Sequence, residues 1–586
     1  MSLFQLHGNM RILDVIRQLL PAGPVAEPFG EPLDSFSARV SPTYQTCPTW
    51  PPDVFAVVGT IIDHSGCYTQ ASPDRTDLPA HETYLQAVHD IAASWDNLLA
   101  VPAEVAELWA SLVAVYGEMA LEDIRNIPDV QATLFMLFAI ADEVSQGMGW
   151  DTATDGELND FATAVLISAA LEPGQKPLYR LPDWPNSLCR MVPADQVVVL
   201  PKSITTDKGC TIRSLSHNLA LLPCRTVLDS EWRLVSRDAH GGGSSALRLL
   251  LVPFPYVIPP DSFVLSSARR KMKNGTTHAA FFGLDQKWLE TKDGKRLTGE
   301  ALAKELILPL IEAAAAQADG QKPNGVVLPE CALDEDTTIG LIDALRGSGI
   351  EFLITGVLEH DEDSGRWLNQ AYTLFMDSQV AKPQNKHHRW RIDGPQAKSY
   401  GLDFDPDPDN AQWWEDIDVS MRRLPFYAFR KDTSLVTLIC EDLARMEPAM
   451  NAIRAVGPNL VVALLMDGPQ LGSRWPGRYA GVLADEPGCA VLSLTCAATV
   501  DLSNAYYVTT ANPETPPERV IARWTQAGAS IDIVLPDPAN GVLLTLQSNP
   551  RHQTTLDNRS DQSHARALSF VSQHAIVAGT RPDNWT

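Results

Sequence analysis

The sequence predicts an α/β protein in two parts, a mainly α-helical region followed by a larger unit of short strands alternating with helices. Before about residue 240, apolar residues recur in stripes at the helical period. After it, apolar runs are short, β-rich and separated by helical or loop segments. The change of texture falls at Gly241-Gly242-Gly243-Ser244-Ser245, a Gly/Ser run of the kind that connects domains. The division expected is therefore a helical domain over 1–240, an α/β domain over 245–545, and a polar C-terminal extension over 546–586.

The first part opens on a short amphipathic helix candidate. Pro21 to about Pro52 then reads as an arm or wrapped loop, because proline lacks an amide donor and fixes φ. Between Thr83 and Leu171 the period is helical. Leu85, Val88, Ile91, Trp95 and Leu98 form one stripe; Val105, Leu108, Trp109, Leu112, Val113 and Tyr116 form another, with Pro102 at a first-turn position. Val130–Val144 and Phe161–Leu171 supply two more helices, and Val197–Leu200 a strand. No catalytic pattern emerges in this half.

In the second part, strands are expected at Leu247–Val252, Val326–Leu328, Phe352–Val357, Tyr372–Met376, Leu435–Ile439, Leu460–Leu465 and Val491–Leu494, with a helix at Leu302–Ala315. Ala505–Val508 and Ile531–Val534 would add closing strands. Alternation of this kind is the α/β signature, with sheet faces covered by helices.

Composition bounds what such a chain does. With 586 residues, 45% hydrophobic and 20% charged, it is a folded globular protein with ample core. No apolar run approaches the roughly 18 residues that span a bilayer, so no membrane partner is expected. A net charge of -26 repels phosphate backbones and disfavours nucleic acid as a partner. More than half of it, 14 basic against 30 acidic residues, precedes position 241. Nine scattered cysteines with no C-x-x-C spacing indicate neither a disulfide framework nor a zinc site, and suit a reducing cytoplasm.

Three strand ends deliver ionisable groups, where α/β scaffolds place loop chemistry. Glu330 follows Val326-Val327-Leu328-Pro329. Lys386 stands in Gln384-Asn385-Lys386-His387-His388, and Cys440 ends Leu438-Ile439-Cys440-Glu441-Asp442. A thiol needs a base to become a nucleophile, and a desolvated carboxylate has the raised proton affinity to serve.

In this order the three residues resemble the Glu-Lys-Cys triad of the nitrilase superfamily, the carbon–nitrogen hydrolases. The resemblance runs over about 245–545. It includes the strand Ala246–Val252, Gly325-Val-Val-Leu-Pro-Glu330, Leu353–Glu359 with its Gly, the Asn-initiated Leu368–Phe375, Lys386-His387-His388, Cys440-Glu441-Asp442 and Trp475-Pro-Gly-Arg478-Tyr-Ala480. It implies an αββα sandwich, Glu330 as general base, Lys386 and the backbone N–H of Glu441 as oxyanion stabilisers, and Cys440 as nucleophile passing through a thioester. It also implies a second glutamate between lysine and cysteine, for which Glu415 is the candidate as the only Glu between 387 and 439. A homo-dimer or higher homo-oligomer, filaments included, is implied in the same way. No metal or organic cofactor is required.

Departures narrow the resemblance. Cys440-Glu441-Asp442 is closest to the glutaminase-type branch, yet no Ser-Gly-Gly-x-Asp-Ser loop is present, which excludes a fused synthetase. Leu494–Val500 replaces an Asn-rich strand end, and the stretch 253–297 is longer than usual and carries the basic run 269–273, read as an exposed loop. Asp403, Asp405, Asp407 and Asp409 fall short of a calcium loop, because Pro406 and Pro408 interrupt it and Trp414 holds its twelfth position. Adjacent His387 and His388 face opposite ways in a strand and cannot share one metal. Trp390, Trp413, Trp414 and Trp475 read as core or loop packing residues, with lining for a planar or apolar substrate as the second reading. The function expected is hydrolysis of a non-peptide amide, nitrile or carbamoyl bond in a small molecule. The alternative is a nitrilase-fold sensor or assembly protein in a multi-component bacterial defence or signalling system, meeting a protein partner through the N-terminal region.

Overall fold

The apolar runs of the second part pair into two seven-stranded sheets. The computed structural model describes residues 10–20, 44–71, 77–95, 101–150, 186–206, 208–235, 246–267, 273, 280–376, 383–402, 412–430, 433–560 and 565–578. The first sheet runs in the order Gln384–Asn385, Arg366–Phe375, Phe352–Asp361, Gly325–Val327, Ala246–Leu251, Gly541–Pro550, Arg566–Ile576. The second runs Ala529–Val534, Val520–Gln526, Ala490–Thr495, Leu460–Leu465, Thr433–Ile439, Arg423–Arg430, Asp229–Leu234. At the centre of each, three neighbouring strands are parallel. Those of the second sheet are buried along their whole length, as parallel strands covered on both faces must be.

The sheets face each other through Thr373 and Thr437, whose hydroxyls are 3.0 Å apart, and through Gln384 Nε2, which donates to the Thr437 carbonyl at 2.9 Å. Leu308–Gln317 and Glu335–Leu345 pack on the first sheet, Trp475–Asp485 and Ala497–Ala511 on the second. The α/β sandwich is thus four layers deep, helices outside and sheets within.

Three expectations change. Ala505–Val508 is helical, inside Ala497–Ala511. Tyr and Val have high strand propensity, but the helix buries only its first turn, Ala497–Val500, and leaves Tyr506–Val508 exposed, so context overrides propensity. The sheet also reaches back across the expected 240/245 boundary, since Asp229–Leu234 pairs in parallel with Arg423–Arg430. The extension from 546 is likewise built in: Gly541–Pro550 and Arg566–Ile576 form the hairpin that closes the first sheet. Its edge position explains the polar sequence. The expected helix Phe161–Leu171, the Gly/Ser run, residues 269–272 of the basic run and the aspartates of 403–409 lie outside the described residues.

The helical part has its own core. Pro51–Ser65, Leu78–Ser94, Ala103–Ala114 and Pro128–Glu143 gather Trp50, Phe55, Trp95, Trp109 and Phe138, with the rings of Phe55 and Phe138 stacked at 4.5 Å. Pro51 and Pro52 occupy the first turn of their helix, where a missing N–H costs nothing. Residues 551–560, which follow the first strand of the closing hairpin, reach this core through Leu556 and Arg559. Buried Arg559 pairs with Asp142 at 3.0 Å and with Asp557 at 3.0 Å, and donates to the Leu215 carbonyl at 2.6 Å. Asp142 also accepts the backbone N–H groups of His217, Asn218 and Leu219, and Tyr84 donates to Asp557. One guanidinium therefore pins the helices to the sandwich. Arg559→Ala should lower stability in urea unfolding by about 3–5 kcal/mol, because it strands Asp142 in the interior. Arg11→Ala, which breaks the exposed Arg11–Glu118 pair, should cost less than about 1 kcal/mol.

Candidate active site

Glu330 stands three residues past Gly325–Val327, where the chain must turn sharply. The turn uses Cys331 at φ +52°, in the left-handed region where a side chain is strained, and a close approach of Gly356. A Cβ on Gly356 would fall 2.5 Å from Glu330 Cα, so only glycine lets the neighbouring strand pass. Gln286 holds the turn by donating to the carbonyls of Cys331 and Leu333, both at 2.8 Å.

Lys386 follows the edge strand Gln384–Asn385 and is held by its own N–H on the Asn369 carbonyl, 2.8 Å. Glu415 arrives from a third direction. It ends Gln412–Glu415 in a four-stranded sheet with Arg391–Asp393, Ala280–Leu284 and Phe263–Ser267. The long stretch 253–297 thus supplies strands that support Glu415, beyond the exposed loop read from sequence.

These three side chains meet in the interior. Lys386 Nζ lies 2.8 Å from Glu330 Oε1 and 2.6 Å from Glu415 Oε2, with Lys386 0%, Glu330 2% and Glu415 3% exposed. Asn369 Nδ2 bridges the carboxylates, donating to Glu330 Oε1 at 2.9 Å and Glu415 Oε1 at 2.8 Å, and Trp390 N–H donates to Glu415 Oε2 at 2.9 Å. Glu330 Oε2, fully buried, has no hydrogen-bond partner among the described residues.

Cys440 is the first residue past Thr433–Ile439 and is 3% exposed, with φ +45°. Such a conformation throws the thiol off the strand axis at the start of the turn Cys440–Ala444. Asp442 joins this turn to the lysine segment: both its oxygens accept His387 N–H at 3.1 Å, and Oδ1 lies 3.0 Å from His388 Nδ1. The histidines are thus positioning partners. The side chain of Glu441 pairs with Arg445, and its backbone N–H is the first after Cys440.

Burial raises the pKa of Glu330; Lys386 opposes the rise and Glu415 adds to it. Burial alone would lower that of Lys386, but the charges of Glu330, Glu415 and Cys440 outweigh it and hold the ammonium charged well beyond its usual range. The Cys440 thiol is pushed well up, first by burial and then by Glu330, with Lys386 opposing. It therefore rests as a neutral thiol beside a carboxylate of raised proton affinity.

Of the four sequence candidates, Glu330, Lys386 and Glu415 are in direct contact, and Cys440 is within electrostatic reach of Glu330 and Lys386. Asn369, the Trp390 N–H and Asp442, which hold these groups in place, have no site role in the sequence analysis. A signal existed for Asn369, a polar residue that opens an otherwise apolar run. Trp390 and Trp413 are buried in the core as expected of packing residues.

No family model matches the chain, and no curated protein matches it. Solved structures do. Nit3 from Saccharomyces cerevisiae, a member of branch 10 of the nitrilase superfamily, is 14% identical over 44% of this chain and 79% of its own, with a TM-score of 0.25. An amidase mutant from Nesterenkonia sp. AN1, bearing the acetamide moiety of fluoroacetamide on its active-site cysteine, is 15% identical over 44% and 78%, TM-score 0.23. A glutamine-dependent NAD+ synthetase from Acinetobacter baumannii is 12% identical over 57% of this chain and 49% of its own, TM-score 0.28. These structural neighbours are nitrilase-superfamily proteins. At such identities and scores the nitrilase likeness carries no information on activity or substrate, which the side chains must supply.

Removing the shared cation should be costly. Lys386→Ala leaves two buried carboxylates facing each other, and should lower stability at neutral pH by about 3–5 kcal/mol in urea unfolding. The deficit should shrink as the pH falls, because protonating either carboxylate relieves the repulsion.

Proposed function

We propose that this chain hydrolyses a carbon–nitrogen bond of a small-molecule amide, nitrile or carbamoyl compound through a thioester on Cys440. The observation that carries the reading is the buried ammonium of Lys386 between Glu330 and Glu415, with Glu330 Oε2 left unpaired. Hydrogen bonds occupy Glu330 Oε1 and both oxygens of Glu415, so Oε2 is the atom free to take a proton.

For an amide, Glu330 accepts the Cys440 proton as Sγ attacks the carbonyl carbon. Negative charge moves to the carbonyl oxygen, where the Lys386 ammonium and the Glu441 N–H stabilise it. Collapse breaks the C–N bond, and Glu330 returns its proton to the leaving nitrogen. Glu330 then takes a proton from water, whose oxygen attacks the thioester; the acid departs and the thiol is restored. Glu415 keeps Lys386 aimed and charged. Every group in this scheme lies outside the helical region, in the sandwich or the small sheet beside it, so we assign the helices a supporting role through the Arg559 clamp, outside the chemistry.

Intact-protein mass spectrometry during turnover of a panel of primary amides and nitriles checks the scheme. An acyl adduct on Cys440 should accumulate, and Cys440→Ala should lose both adduct and turnover, the latter by at least about a thousandfold. Turnover unaffected by that substitution would rule the thioester out. The pH dependence gives a second check. Activity needs ionised Glu330, so the acid limb of kcat/KM should lie above the ordinary glutamate range. Glu415→Gln removes a charge that raises the Glu330 pKa, so it should move that limb to lower pH as well as reduce the rate.

A further inference from the structure

We infer that Asp467 is the anchor for a positively charged substrate tail, so that the site prefers amides bearing an ammonium group over those bearing a carboxylate. The inference rests on the reading of Cys440 as the reacting atom.

Cys440 and Asp467 follow adjacent parallel strands, paired with Ile439 opposite Leu464, so both come out at the same sheet edge, where open α/β sheets bind ligands. The charge of Asp467 is felt at the Cys440 thiol. Asp467 is 4% exposed and fixed on almost every atom. Its Oδ1 accepts from the Tyr400 hydroxyl at 2.9 Å and from Arg474 Nη2 at 2.5 Å. Its carbonyl accepts from Thr495 and Thr499, both at 2.6 Å, and its N–H donates to Thr495 Oγ1 at 2.9 Å.

The exception is Oδ2, which is buried with no hydrogen-bond partner among the described residues. A buried carboxylate oxygen without a donor is costly, and a rigid one beside a nucleophile is an acceptor reserved for something that arrives. Gln470 Oε1, in the same loop and also buried, lacks a donor too. The surrounding charges point the same way. Among the described residues, Glu330 and Glu415 share the Lys386 ammonium and Asp467 pairs with Arg474, three carboxylates against two cations that are already paired. An incoming carboxylate meets an excess of negative charge, and an ammonium meets an attractive field. The rival is Arg474 Nε, a buried donor without an acceptor, which a carboxylate tail would suit.

Matched primary amides separate these cases: γ-aminobutyramide with an ammonium end, butyramide with a methyl end, and succinamate with a carboxylate end. Isothermal titration of each into full-length Cys440→Ala protein should show γ-aminobutyramide binding at least about tenfold tighter than succinamate, with butyramide between. Adding Asp467→Asn should shrink that difference severalfold. Equal binding, no binding of any probe, or succinamate binding tightest would each overturn the anchor. The ranking in Cys440→Ala alone decides this even where the double variant does not fold. Turnover of the same amides by the unsubstituted protein is read separately: the binding order without turnover supports the anchor while removing the hydrolase reading.

Discussion

A single ammonium, buried between two carboxylates, is the constraint around which the sandwich is organised. Charges out of water are tolerated only when each is met by opposite charge and its remaining hydrogen-bonding positions are filled. Lys386 meets Glu330 and Glu415, Asn369 bridges both, and Trp390 closes on the second. The partners come from the first large sheet, its edge strand and the small sheet, so all three must be held in register for the cluster to exist. Costly backbone features are among those that build it: Cys331 and Cys440 with φ in the left-handed region, and Gly356 where no Cβ fits.

Much of this was legible in the residues. Continuous apolar runs such as Leu460–Leu465 became fully buried parallel strands, and Glu330 and Cys440 stand out at the ends of two others, whereas Lys386 follows the short polar strand Gln384–Asn385 and stands out through Lys386-His387-His388. Glu415 was reachable only by counting, since Trp413-Trp414 and Asp416 form no motif; its position depends on a small sheet assembled from residues over a hundred apart in the chain. Asp442 was visible as a letter and invisible as a link, because its bonds run to the His387 backbone N–H and the His388 ring, more than fifty residues away in the chain. Ala505–Val508 was misread for the opposite reason: a strong local preference was overruled by the one helical turn that packs.

The boundaries drawn from composition fared differently from the cores. Two hydrophobic clusters exist, as the two textures of sequence imply. Yet Asp229–Leu234 crosses to the second sheet, and the loop carrying Arg559 crosses back into the helical core. Texture reports which elements bury apolar surface together, whereas a strand added at a sheet edge or one buried guanidinium joins units without altering composition. The helices and the sandwich are therefore mechanically joined at both ends of the α/β unit.

Catalysis at Cys440 requires that Glu330 be a buried carboxylate whose proton affinity is raised although it touches a lysine. Carbon-13 NMR of protein labelled at the glutamate carboxyl carbons, with Glu330 assigned by comparison with Glu330→Gln, measures this directly. The expected result is a Glu330 titration with its midpoint above the ordinary glutamate value of 4.5. A midpoint at or below that value would mean that the Lys386 pairing outweighs burial, leaving Glu330 a structural counter-ion and no base for Cys440.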